Sequence, residues 1–378
     1  MAMRNIFIAS VLLLSGILEI LAAETLFPVQ KEGQWGFIDK SGKVVVTPQF
    51  DEVWRPFNPL MPIGPKDHVL RTLTSGRILV RKGTMWGYVD SVGRWVIAPR
   101  FSHATHFHDG LAGAMLDGRW SFIDPQGNLI LSIRGAQGGY LFSEGLAPFA
   151  RSVAGKMKWG FVNKKGREVI GARFDEVRSF HEGLAAAREG DKWGYVGPLG
   201  QWAIAAQFQD VGYFFDGLAR AVKDEKAGFI GRDGKWVVAP QYAQVQRFAE
   251  GLAAVSNGKL CGFVDAKGVI QVPLKFNDAR SFREGLAAVA MGQRYGFINK
   301  DGTWAVKASF ESAGDFSEGL AVVGKDGRFG FVDKTGQLVI PCHFDEAGPF
   351  TSGLAEVRID EKRGYINAKG EYIWAPTD

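Results

Sequence analysis

The sequence predicts an all-β fold of ten tandem units of ~34 residues, each a three-stranded antiparallel meander, stacked into an open curved superhelix. Three observations carry this. An octet typified by Trp159-Gly160-Phe161-Val162-Asn163-Lys164-Lys165-Gly166 recurs from Trp35, Trp86, Trp120, Trp193, Ala227, Cys261, Tyr295, Phe329 and Arg363. From Trp159 onward its step is a constant 34 residues, whereas the earlier steps of 51, 34 and 39 mark two insertions. A Gly-Leu-Ala triplet also recurs, at Gly110, Gly145, Gly183, Gly217, Gly251, Gly285, Gly319 and Gly353. Units this small cannot bury a core alone, so each must be covered by its neighbours.

The elements follow in order within one unit. Leu184-Ala185-Ala186-Ala187 forms the first strand and Trp159-Gly160-Phe161-Val162 typifies the second. Alternation puts Trp159 and Phe161 on one face and Gly160 and Val162 on the other, so both faces are apolar and covered. Glycine, or Ser121 once, holds the second place in the copies that keep the pattern, which predicts a close backbone or ring there. The turn that follows opens on Asp or Asn and closes on Gly three residues later, as in Asp39/Gly42, Asp265/Gly268 and Asn367/Gly370. An Asx side chain bonds the backbone ahead and Gly takes the left-handed conformation. The third strand is β-branched and aromatic, as in Trp236-Val237-Val238, and often ends in proline, as at Pro240 and Pro341. An irregular connector such as Phe174-Asp175-Glu176-Val177-Arg178-Ser179-Phe180 then leads to Glu182-Gly183 and the next unit. The alternative architecture is a closed β-propeller, in which the N-terminal strand would complete a blade begun at the C-terminus.

Trp35-Gly36-Phe37-Ile38-Asp39-Lys40 and its relatives resemble the WG (KWG) repeat of bacterial proteins, over nearly all of the chain beyond residue 23. The leading Trp is lost at Ala227, Cys261, Tyr295, Phe329 and Arg363. The resemblance implies β-rich repeats and supplies no catalytic residues.

Residues 1–23 read as a secretory signal: Arg4, an apolar stretch from Ile6 to Leu18, and small residues for cleavage near Ala23. The stretch is too short and interrupted to span a membrane comfortably. Residues 24–378 then form one repeat array, placed in the periplasm or outside the cell. The net charge of +5 is spread without a Lys/Arg run, which argues against nucleic acid as a partner. The two cysteines, Cys261 and Cys342, show no spacing that demands a bridge; Cys261 reads as a small core residue.

What all units share is explained by folding, so departures from the repeat are the functional candidates. The insertion at about 62–82 carries Lys66, Arg71, Arg77, Arg81 and Lys82 against Asp67 alone; Arg71, Arg77, Arg81 and Lys82 are the candidate binding residues of a basic lip. Against this stands a tolerated surface loop. His103, His106 and His108 are candidate metal ligands with Asp109 beside them, although a closed zinc site needs a fourth ligand. Five extra residues spread over 135–139 and 151–155 read as a flexible loop. The recurrent acids, Asp175-Glu176, Asp345-Glu346, Glu182, Glu250, Glu284 and Glu318, are explained by turn chemistry. No nucleophile elbow or calcium loop occurs, so no catalytic residue and no cofactor is assigned. The expectation is a non-enzymatic secreted or periplasmic binding or scaffold module for a protein or glycan of the cell envelope. The readings set against it are a metal-assisted hydrolase using the histidines and a purely structural envelope component.

Overall fold

The computed structural model describes residues 25–53, 74–133, 135–139 and 141–377. The expected leader and most of the insertion, including Arg71, lie outside them. Every helix or strand element among the described residues is a strand, and the strands form ten antiparallel sheets. No helix there is long and apolar enough to cross a membrane.

The expected meander is present, with one addition. In the fifth sheet the Leu-Ala strand Ala185–Glu189, the Trp-Gly strand Lys192–Val196 and the outer strand Trp202–Phe208 pair in that order. A two-residue strand, Glu176–Val177, adds a fourth member on the other edge of the Leu-Ala strand. It lies within the connector that reads as irregular in the sequence, where Val177 is buried opposite Ala187. Eight sheets have this fourth strand. In the third sheet a single bridge, Ala104 to Ala114, stands in its place.

The sheets are the blades of a closed ring, which overturns the open superhelix. The contact that joins each blade to the next also joins the last to the first. A Cβ placed on the turn glycine before an outer strand would strike the aliphatic residue of the preceding blade's outer strand: Gly93 on Val46, Gly200 on Ile170, Gly234 on Ile204, Gly336 on Val306. Gly42 of the first blade meets Ile373 of the tenth in the same way. A second contact repeats too. The Tyr88 and Tyr195 hydroxyls each donate to the next blade's inner segment, at Thr105 O and Gly212 O, both at 2.7 Å. Tyr365 donates across the closure to Pro28 O at 3.0 Å. Phe27, Val29, Ile38, Leu354 and Tyr365 form a buried cluster there. The first blade does not complete the tenth; each is built from its own strands, and they close face to face. Ten blades exceed the usual four to eight, which is why the repeat number pointed away from a ring.

Side-chain size places the strands around the axis. Leu-Ala strands are rich in small residues, such as Ala185, Ala186, Ala187, Ala253 and Ala254, whereas outer strands carry Trp, Ile and Phe. Blades diverge away from the axis, so small residues suit the inner strands and bulky ones fill the wider gaps outside.

The glycine after the leading aromatic has a specific cause. Trp193 pairs with Phe208 and Tyr195 with Ile204, so the outer strand bulges opposite Gly194. The bulge brings Ile204 O to 2.4 Å from where a Cβ would sit. Ser121 is tolerated because the third blade pairs differently there, Ser121 with Ser132, and their hydroxyls bond at 2.7 Å.

The turns behave as expected: Asp39 Oδ1 accepts the Ser41 and Lys43 N–H groups at 2.8 and 3.1 Å. The acids before glycine do more than stabilise their own turns. Glu182 accepts the Asp216 and Gly217 N–H groups of the next blade at 2.7 and 3.0 Å, and Glu318 likewise accepts those of Ser352 and Gly353 at 2.6 and 2.8 Å. Glu144 reaches Gly183 at 2.8 Å. These bonds form a belt from blade to blade on one face of the ring. Cys261 and Cys342 are partly buried and not bridged.

Candidate functional site

The segment between the short inner strand and the Gly-Leu-Ala strand is half constant and half variable. In the third and the fifth to tenth blades it reads Thr105-His106-Phe107-His108, Arg178-Ser179-Phe180-His181, Gly212-Tyr213-Phe214-Phe215, Gln246-Arg247-Phe248-Ala249, Arg280-Ser281-Phe282-Arg283, Gly314-Asp315-Phe316-Ser317 and Gly348-Pro349-Phe350-Thr351, and the fourth keeps Phe142-Ser143. The constant phenylalanine packs on the preceding blade's aromatic, as in Phe161–Phe180 and Phe331–Phe350, both at 4.9 Å between ring centres. The residues around it vary between blades, although Arg-Ser precedes it in both the fifth and the eighth. Part of this variation still serves the ring: Ser143 and Ser317 hydroxyls donate to Phe180 O and Phe350 O at 2.7 Å, and Gln246 donates to Ala279 O at 3.0 Å. The Arg178 guanidinium bonds Asp210 at 3.1 Å and also Val211 O.

The rest accumulates in the sixth to tenth blades. Arg247 lies over the Phe215 ring at 5.5 Å, and His181 of the fifth blade packs on the same ring at 4.5 Å between centres. Beyond them a cleft of about 380 Å³ is lined by Gln246, Arg247, Asp278, Arg280, Ser281, Arg283 and Asp315. Burial, with Arg283 nearby, pushes the Arg247 guanidinium below its usual range. A second cleft of about 670 Å³ shares Arg280, Arg283 and Asp315 and continues over Ala313, Phe316, Val322, Phe329 and Pro349. Basic and aromatic side chains thus give way to an apolar floor across neighbouring blades. Such an arrangement sets guanidinium donors beside an apolar surface.

The sequence-derived candidates sit elsewhere. Arg77 donates to Pro125 O at 2.7 Å, Arg81 pairs with Glu52 at 2.8 Å, and Lys82 donates to Gln49 O at 2.5 Å. Arg81 repeats what Arg188 does with Glu176, at 3.2 Å, in the fifth blade. These three side chains therefore hold the second blade and its neighbours.

His103 is exposed, while His106 and His108 lie in the variable segment with ring centres 6.4 Å apart. His108 Nδ1 is 2.5 Å from Phe142 O, the same blade-to-blade bond that the serines make. Asp109 faces Gly145 N at 2.8 Å and Lys164 at 2.7 Å. Among the described residues no three His, Cys, Asp or Glu side chains gather as a metal ion requires.

Burial, reinforced by His108, lowers the His106 pKa to about 4. The unfolded chain takes up this proton near pH 6.5, so the folded state loses stability as pH falls from about 6.5 to about 4. The loss is at most about 1.4 kcal/mol per pH unit. Denaturant titrations across that range are expected to show a shallower acid loss for His106→Gln than for the unaltered chain.

Sequence reasoning missed Arg247, Arg280 and Arg283 because Arg247 lies one repeat away from the other two and Asp315 one repeat beyond them. The signal was available: with the repeats superposed, these columns vary while the phenylalanine between them does not.

The sequence family described as WG containing repeat matches residues 35–59, 86–120, 159–193, 193–226, 228–261, 262–295, 295–329 and 329–362. The stretch from 121 to 158, which is not matched, holds the Ser121 blade without its usual bulge. Among curated proteins none matches the chain. Similar solved structures include BamB from Moraxella catarrhalis, 10% identical, covering 70% of this chain and 79% of that one with a TM-score of 0.30. Hsv2p of Kluyveromyces lactis is 9% identical, covering 70% of this chain and 92% of that one, again with a TM-score of 0.30. Likenesses of this degree carry no argument about activity.

Proposed function

Because the chain belongs to the family of WG containing repeat proteins, whose shared residues here are taken up by the ring, we propose that its function lies in the residues that differ between blades. It is a non-enzymatic binding module that presents the variable inner segments to a protein or glycan partner of the cell envelope. The observation that carries this reading is the fixed phenylalanine flanked by side chains that change from blade to blade. A rigid scaffold with varied side chains on one surface is the physical layout of recognition. The leader-like residues 1–23 support export, with cleavage near Ala23 and a mature chain in the periplasm or outside the cell.

The test is affinity capture from envelope extracts with the chain from residue 24, beside a variant carrying His181→Ala and Phe215→Ala. A saturable partner, retained by the unaltered chain and lost by the variant, is the expected result. Absence of any saturable partner, or capture indifferent to the inner segments, would contradict it. Mass measurement of the exported chain checks the leader: removal near Ala23 is expected, and a retained N-terminus in the cytoplasm would overturn export.

A further inference from the structure

We propose that the two adjoining clefts of the seventh to tenth blades form one groove for an extended peptide carrying an acidic residue followed by apolar ones. The assignment rests on the binding-module reading and deepens it by naming the partner's chemistry.

Charge complementarity argues for the acidic residue. Arg247, Arg280 and Arg283 converge on the first cleft, and three guanidiniums face two carboxylates, Asp278 and Asp315. Both carboxylates already have neighbours: Asp278 accepts the Tyr295 hydroxyl at 2.7 Å and Asp315 lies 3.9 Å from Arg280. The acids at the rim are also engaged, since Glu250 and Glu284 pair with Lys300 and Lys334 of the following blades at 3.2 and 3.1 Å. The Arg280 side chain remains 52% exposed, so it is within reach of a ligand. A planar guanidinium suits a carboxylate, which it can hold through two parallel bonds.

The second cleft argues for a peptide over a sugar acid. Phe316, Val322, Phe329 and Pro349 lie directly beyond Arg280 and Arg283. These four side chains offer no hydrogen-bond partner and reward an apolar side chain, whereas a sugar ring laid over them would depend for its hydroxyls on Ser312, Ser317 and Thr351, which also line the cleft. Phe329 stands where other blades keep the leading tryptophan, and it is only partly buried.

The experiment pans a phage-displayed random dodecapeptide library on the chain from residue 24. The selected peptides are then measured in solution by fluorescence anisotropy. Sequences with Asp or Glu beside apolar residues are expected. Their affinity is expected to fall about ten- to hundredfold for Arg280→Gln, for Arg283→Gln, and for a peptide whose acid is replaced by its amide. Arg119→Gln, an exposed change elsewhere, is expected to leave it unchanged. The amide peptide keeps the test independent of whether a variant folds.

Selected peptides lacking an acid, affinity indifferent to both arginines, or tighter binding of a uronic-acid oligosaccharide would each overturn the proposal. An envelope partner captured equally by the Arg280→Gln, Arg283→Gln double variant would leave the binding module standing and remove only this groove.

Discussion

Replacing Phe27 with alanine is expected to destabilise the whole ring by about 3–5 kcal/mol, the usual cost of emptying a buried aromatic site. Phe27 aligns with the small alanine that opens the Leu-Ala strand in other blades, as in Ala355, which pairs with Ile366 as Phe27 pairs with Ile38. At the closure its ring meets Tyr365 at 5.4 Å, the place that a neighbour's inner-segment phenylalanine takes elsewhere. It is 6% exposed. The residue therefore fills the apolar slot between the tenth and first blades. In an open array a terminal blade would fray locally and the main transition would stay in place. In a ring every blade has two neighbours, so the full denaturation midpoint should move. Denaturant titration followed by tryptophan fluorescence distinguishes the two.

The second large effect is expected at Gly228. Alanine there would place Cβ 2.3 Å from Val238 O and 2.9 Å from the Ala239 backbone. The outer strand of the sixth blade would have to move, and overpacking of this kind costs about 3 kcal/mol. Gly171→Ala is the paired control, since nothing lies within 4 Å of its Cβ. That change is expected to stay within about 0.5 kcal/mol of neutral. Equal effects at both sites would refute the bulge as the reason for the repeated glycine.

How far the fold could be read from the sequence depended on the range of the interactions involved. The hairpin turns were legible because Asp39 and Gly42 act within four residues. The need for glycine at Gly194 was legible as a close approach, though the identity of the crowding atom, Ile204 O, was not. The inner strand Glu176–Val177 escaped because two residues carry no alternation to detect. Glu182 read as a residue of its own turn, yet its acceptors' partners lie 34 and 35 residues ahead. Closure was hidden for a related reason: curvature is the sum of small rotations set by side-chain sizes between blades, and no single residue records it. The arginine groove was out of reach for the same cause, since Arg247, Arg280 and Asp315 come from three repeats and meet only in the ring.

Intramolecular cross-linking of the two ends tests the ring most directly. Thr25 Oγ1 and Ser352 Oγ are 3.5 Å apart although 327 residues separate them. With Cys261 and Cys342 replaced by alanine, Thr25→Cys and Ser352→Cys are expected to form a disulfide on mild oxidation. The product should be a monomer that migrates faster without reductant. An open superhelix would keep these residues apart, and oxidised chains that stayed unbridged or joined only as dimers would contradict the closed ring of ten blades.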